Sequence, residues 1–294
     1  MYLIIGANGF VGSYAIKNIL EKTDDKIIAA DMCLEDVSES SRVHWIKCDI
    51  TKHEDIVALN EIMKKECDVK IIYLAAMHHP DKVREFPRIA WNINITCLSD
   101  FLNTMENVKC LFFASTEMVF PAGNRSVKFD ENYRKDPVNI YGKHKVVCES
   151  MVTAYGYNVV RFPFMIGPSI LKHKKHFYDI IVETIQRGEK MEMFEDAIKA
   201  PLDFNTAIGT VVDLAEAYTE DMPKILNIAG DEVLTKYEIG LRIAEKYGCD
   251  SSLIVPISLN SDTKIFKEKR ADCTIMDNSL VKKTLGLSEL KMHF

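Results

Sequence analysis

The chain lacks any apolar run of the roughly 18 residues that a membrane-crossing helix needs. No membrane span is therefore expected. It lacks a polybasic block as well: the cluster at Lys172–Lys175 is short, and 37 basic against 43 acidic side chains leave a net charge of −6. Nucleic acid is excluded as a natural partner on that balance. A phosphate ligand is not, because backbone N–H groups bind phosphate without any net positive charge. The opening MYLIIGANGF has no basic stretch ahead of its apolar residues and does not read as a secretory signal. None of the eight cysteines forms a Cys-x-x-Cys pair, and several sit in apolar runs, as Cys110 does in VKCLFFAS. Buried, reduced thiols in a cytoplasmic protein are the expectation, not a disulfide framework. His173 and His176 in LKHKKHF have no neighbouring carboxylate or cysteine, so a solvated basic face is expected there and no metal site. Internal repeats and low-complexity segments are absent too.

What is present is a 294-residue chain, 47 % hydrophobic, in which short apolar runs alternate with helical patterns. Strands are predicted at 2–5, 26–31, 43–49, 69–76, 108–115 and 157–162. Helices are predicted at about 11–22, 54–65, 82–106 and 139–155, and a loop at about 120–138. Strands alternating with helices imply βαβ units and a parallel sheet covered on both faces. The expected fold is α/β, a Rossmann-type doubly wound parallel sheet. A dinucleotide-binding domain over 1–165 is followed by a smaller substrate-binding region over 166–294, some of whose segments can return to the main sheet. In that second half, helices are predicted near 177–187, 211–220 and 236–247, and a short strand at 226–230. Met191, Met193 and Phe194 fit a half-buried strand.

Gly6, Gly9 and Gly12 stand between the first strand and the first helix. Glycines there allow a tight turn and close approach of backbone to a pyrophosphate, and the helix start offers unpaired N–H groups. Asp31 ends the second strand, placed for the adenosine ribose hydroxyls. Its charge would repel a 2′-phosphate, so NAD is favoured over NADP. Asp49, followed by Ile50, ends the third strand within reach of an adenine. Tyr141 and Lys145 lie four apart on one helix face. A nearby ammonium favours phenolate, so the pair suits proton transfer while hydride moves to or from nicotinamide. Ser115 and Thr116 end a strand, where either hydroxyl could donate to a substrate oxygen. His78 and His79 follow another strand end, near the mouth of such a site.

Several strings together resemble the extended short-chain dehydrogenase/reductase family over nearly the full length: GANGFVG, the Asp31 strand end, CDI at 48–50, LAA at 74–76, INI at 93–95, ASTEMVF at 114–120, YGKHK at 141–145 and RFPFMIGP at 161–168. The resemblance implies a Thr/Tyr/Lys trio carried by Thr116, Tyr141 and Lys145. It implies a cofactor loop that includes Phe10 and Val11, and a wall beside the cofactor made of Leu74, Ala75 and Ala76. Asn94 matches the family's helix asparagine. A nucleotide-diphosphate-sugar substrate and a homodimer built on the helices at 82–106 and 139–155 are also implied. STEMVFPAG, HHPDKVREFPRIAWNIN and RADCTIMDNSLVKKTLGL are similar to the dTDP-4-dehydrorhamnose reductase branch. Phe164 stands where an asparagine is usual, and Ala271 replaces a proline, leaving Arg270 for a phosphate. Glu117 and Met118 replace the Asp-Glu pair of sugar dehydratases, which argues against elimination. The reading is 4-keto reduction of a nucleotide sugar. The alternatives are a 4-epimerase with the same trio and, from another class, a non-catalytic dinucleotide-binding regulator.

Overall fold

The strands at the centre of the sheet are buried on both of their faces. In Tyr2–Ile5 (β1), Ile27–Asp31 (β2) and Val69–Tyr73 (β4), nearly every residue is buried. A strand of that kind needs cover above and below, which a parallel sheet with helical crossovers supplies. In a computed structural model, which describes residues 1–37, 40–172, 174–259 and 266–293, these strands join Val43–Lys47 (β3), Val108–Thr116 (β5), Asn158–Phe162 (β6) and Ile225–Asn227 in one seven-stranded sheet. Its order is β3-β2-β1-β4-β5-β6 and then Ile225–Asn227, and every pairing is parallel.

Alternate residues of the strands feed two cores. Tyr2, Ile4, Ile72 and Phe112 pack under Phe10–Lys22 (α1) and Phe204–Glu216 (α8). Leu3, Ile5, Ile71 and Phe113 pack under His53–Met63 (α2), Cys97–Thr104 (α5) and Ile140–Ala154 (α6). Residues from the second half thus complete the first half's sheet: Ile225–Asn227 extends it, and α8 covers it.

Two helical predictions differ from the structure. The stretch 82–106 is not one helix. It is Pro80–Glu85 (α3), Pro87–Trp91 (α4), a π-helical turn at Asn92–Thr96 and then α5. Pro87 disfavours helical dihedrals at the residue before it, and Phe86 sits at φ −124° and ψ 60°. The second is α8, which begins at Phe204, well before the predicted 211. Asp203 starts it by accepting the Thr206 N–H at 2.8 Å, a cap that overrides the weak helical propensity of the residues after it.

The rest of the second half forms a smaller layer. Phe177–Gln186 (α7) and Lys236–Lys246 (α9) bury Ile181, Ile185, Ile239 and Ile243 together. Strand Met191–Phe194 pairs with Ile254–Ile257, and Ile198–Lys199 lies between Leu234–Thr235 and Cys273–Thr274.

Where β5, β6 and α6 meet, one carboxylate gathers four donors. Glu149 accepts from Ser115 Oγ at 2.6 Å, from Arg161 Nε and Nη2 at 2.8 Å each, and from Lys135 Nζ at 3.1 Å. Glu149 and Arg161 have no exposed surface. Burial pushes the Glu149 carboxyl up, but the bonds and charge of Arg161, with Ser115 and Lys135, outweigh it and hold the group below its ordinary 4.5. Arg161→Leu strands that charge and should cost about 3–5 kcal/mol in urea unfolding. Because the folded carboxyl titrates lower than the unfolded one, its contribution is complete above 4.5 and is lost as pH falls through the folded value. Glu149→Gln should flatten that part of the acid limb; an unchanged acid profile would show the network contributes nothing.

Candidate functional site

Strand order reverses between β1 and β4, and at the carboxyl ends of the strands there a cleft of about 720 Å³ opens. This is where open parallel sheets bind ligands. The glycine loop forms its floor. Gly6 has φ +86°, and a Cβ there would lie 3.0 Å from the Ala75 nitrogen. A Cβ on Gly12 would lie 2.5 Å from the carbonyl oxygens of both Gly6 and Ala7. Only glycine fits the two positions. Gly9 caps α1 without any side-chain bond to it, so the first N–H groups of that helix, beginning at Phe10 and Val11, face the cleft unmasked by a capping side chain.

Around the loop stand the other residues expected of a dinucleotide site. Asp31 lines the cleft and also fastens the loop, accepting the Asn8 N–H at 2.9 Å and the Cys33 N–H at 3.0 Å. Asp49 accepts the Thr51 hydroxyl at 2.7 Å and its N–H at 3.0 Å, bonds that hold its carboxyl below the ordinary range. Ile50, Leu74, Ala75 and Ala76 complete this wall. The last three lie beyond the end of β4, not within the strand as predicted.

At the far end the same cleft is lined by Thr116, Tyr141 and Lys145. Lys145 donates to the Ala114 carbonyl at 2.6 Å and stands 4.2 Å from the Phe113 ring centroid and 5.8 Å from that of Tyr141. Burial pulls its ammonium down to about 8. Burial also pushes the Tyr141 phenol above its ordinary 10, the reverse of the lowering expected from spacing to Lys145 alone. Desolvation, invisible in the spacing, wins. Both residues that end β5 line the cleft, but the Ser115 hydroxyl is spent on Glu149, leaving the Thr116 hydroxyl, which accepts the Met118 N–H at 3.3 Å, to donate there.

His78 and Phe164 line the cleft as well. Asn94 and Arg270 do not. The π-helical turn aims the Asn94 amide at the Met77 backbone, accepting its N–H at 2.8 Å and donating to its carbonyl at 3.1 Å, so Asn94 holds a lining residue in place. Arg270 pairs with Asp81 at 3.3 Å. His176 is not on a solvated face: its ring lies edge-on to Phe10 at 5.1 Å and to Phe204 at 4.7 Å, and burial pulls it down to about 4. Its aromatic neighbours come from distant segments, which is why the local sequence misleads. His173 lies outside the described residues. Among the described residues, no group of three or more His, Cys, Asp or Glu is placed to hold a metal ion.

Three further side chains stand at or beside the cleft: Glu117 belongs to the ASTEMVF string, Lys174 to a basic segment whose lysines are expected to attract a diphosphate, and Lys236 carries no signal in the sequence. Glu117 is buried against the cleft and pairs with Lys199 at 3.1 Å, while its Oε2 has no hydrogen-bond partner among the described residues. Lys174 reaches the glycine loop from the second half. Lys236 stands 4.7 Å from the Phe164 ring. Burial pulls its ammonium down to about 8, with Lys199 pushing the same way and Glu117 opposing. No motif marks Lys199 and Lys236, because they converge on Glu117 from separate elements. Lys236 titrates lower folded than unfolded, so stability rises with pH between about 8 and 10.5. Lys236→Met should raise the melting temperature at pH 7, and the gain should shrink towards pH 10.5. A gain that is the same at every pH would remove the desolvated amine as its cause.

Residues 1–292 match the model of a family described as RmlD substrate binding domain. The chain is 23 % identical over 261 residues to methionine adenosyltransferase 2 subunit beta of Danio rerio, covering 87 % of this chain and 76 % of that one. It spans 57 % of the two Xenopus proteins of the same description. In fold it is similar to dTDP-4-dehydrorhamnose reductase from Bacillus anthracis in complex with NADP, with TM-score 0.79, 18 % identity and 99 % and 94 % of the two chains covered. It is also similar to DesIV, a dTDP-glucose 4,6-dehydratase from Streptomyces venezuelae with NAD and TYD bound, with TM-score 0.80, 16 % identity and 100 % and 92 % covered.

Proposed function

The chain belongs to the family described as RmlD substrate binding domain, and on that premise we propose that it is an NAD(P)-dependent oxidoreductase of nucleotide-diphosphate sugars. Its reaction is reduction of a 4-keto group. One observation carries the reading: Thr116, Tyr141 and Lys145 line the same cleft as the loop Gly6–Gly12. The loop is a cradle that a Cβ would fill at Gly6 and Gly12, so its backbone fits a closely approaching diphosphate. Both structural neighbours named above carry a nicotinamide dinucleotide by description. The Asp31 carboxylate favours NAD over NADP.

Residues 1–165 hold the dinucleotide in this reading, and 166–294 shape the sugar-nucleotide wall from Phe164 onward. A bound nicotinamide supplies the hydride. Tyr141, raised by burial, keeps its proton at neutral pH and donates it to the keto oxygen. Thr116 gives that oxygen a second hydrogen bond. Lys145, its ammonium 5.8 Å from the Tyr141 ring centroid, is positioned to hold a ribose and to favour charge that develops on the phenol. Glu117 lines the cleft, and its Oε2, which has no hydrogen-bond partner among the described residues, is the acceptor proposed for a sugar hydroxyl.

NADH or NADPH consumption with a dTDP-4-keto sugar tests the activity. Tyr141→Phe should lower kcat by about 10²–10⁴-fold with dinucleotide binding intact. Retained NAD with no net turnover would transfer the reading to a 4-epimerase. A second reading has its own support, because relatives such as those of Danio rerio and Xenopus are described as methionine adenosyltransferase 2 subunit beta. It makes the chain a non-catalytic dinucleotide-binding regulator. Biological activity that Tyr141→Phe leaves whole would favour it.

A homodimer is part of the proposal. Phe86 between α3 and α4, Ile89 and Trp91 on α4, and Val147 on α6 expose apolar surface along the helices expected to pair. Trp91→Glu should shift the protein to monomer in sedimentation velocity, and a native protein already monomeric would end the proposal.

A further inference from the structure

Among the described residues of the basic cluster LKHKKHF, Lys174 and His176 line the cleft, and Lys174 is the one whose ammonium meets the glycine loop. Its Nζ donates to the Asn8 carbonyl oxygen at 2.7 Å. Asn8 sits inside the glycine loop, so an ammonium from the second region rests on the surface where backbone N–H groups meet a ligand. An ammonium has three N–H donors, and this bond uses one. Lys175 by contrast is spent on Glu183 at 2.7 Å in solvent. No carboxylate pairs with Lys174 among the described residues.

Packing on both sides keeps Lys174 there. The Tyr14 hydroxyl of α1 donates to the Pro168 carbonyl at 2.9 Å. Beyond the lysine, the His176 ring packs against Phe10, the first residue of α1, and against Phe204. Asp179 then accepts the N–H of His176 at 2.7 Å and of Ser169 at 3.1 Å, which draws the two sides together. The result is electrostatically lopsided. A cation is held near the N-terminal end of α1, which is itself the positive end of a helix dipole. An anion between them resolves both.

We propose that Lys174 is a cofactor-binding residue whose ammonium bonds a phosphate oxygen of the dinucleotide diphosphate, from the side facing the loop's N–H groups. The inference rests on the dinucleotide reading above. It makes the substrate-binding half a direct ligand of the cofactor. A lysine serves here as a point charge that needs no particular phosphate orientation.

Isothermal titration with NADH, NADPH, ADP and adenosine, on the wild type and on Lys174→Met, Lys174→Gln and Lys174→Arg, tests it. Met and Gln should each weaken NADH and ADP by about ten- to a hundredfold, the range of a charge-assisted hydrogen bond. Arg should recover most of that loss, and adenosine, which has no phosphate, should bind all four proteins alike. Wild-type NADH affinity in both neutral variants would overturn the assignment and leave the dinucleotide reading standing. An equal loss for adenosine would reduce Lys174 to a packing role. A loss confined to NADPH would move the contact to the 2′-phosphate. A wild type that binds none of the nucleotides with phosphate would sink the dinucleotide reading itself, and this inference with it.

Discussion

The Glu149 carboxylate is the constraint on which the geometry of the site depends. It joins β5 through Ser115, β6 through Arg161 and the loop before α6 through Lys135. Ser115 precedes Thr116 in the chain. On α6, Glu149 follows Lys145 by one turn and Tyr141 by two, so the three share one face of the helix. Fixing Glu149 therefore fixes the rotation of α6 and the reach of the β5 end together. An ion pair this deep gains little over apolar packing, since removing two charges from water offsets their attraction. What it adds is register: a leucine pair would tolerate a rotated helix, and four directed hydrogen bonds do not.

The cleft above this network has two dissimilar walls. One is backbone: glycines, helix N–H groups and the residues past β4, with Asp31 as its main charge. The other is made of side chains from the second half and from the β5 end, among them Thr116, Phe164, Lys174, His176 and Phe204. Behind it, Lys236 lies on Phe164, and Lys199 is paired with Glu117. A rigid backbone wall suits an invariant dinucleotide. A side-chain wall suits a substrate that differs from one enzyme of the fold to another.

Much of this was legible in the sequence because it is local. The glycine loop, the buried strands and the Tyr141–Lys145 spacing are short-range patterns whose geometry follows from backbone sterics and helical period. Predictions failed once against a local signal and otherwise where distant residues decide. The helix at 82–106 breaks at Pro87, a local signal outweighed in the reading by apolar periodicity. His176 looked solvated among lysines, yet Phe10 and Phe204 enclose it. The Tyr141 phenol is raised and not lowered, because desolvation depends on everything packed around it.

The sequence alone therefore determined the order of strands and helices, the phosphate-accommodating loop and the face of α6 that carries the phenol and the amine. Each is dictated within a few residues by dihedral limits and periodicity. Only the tertiary structure decided which of the Ser115 and Thr116 hydroxyls is spent on Glu149, which lysine of the basic cluster reaches the loop, and which way burial moves each titrating group. Those outcomes turn on burial and on partners brought from far along the chain, and no local pattern encodes them.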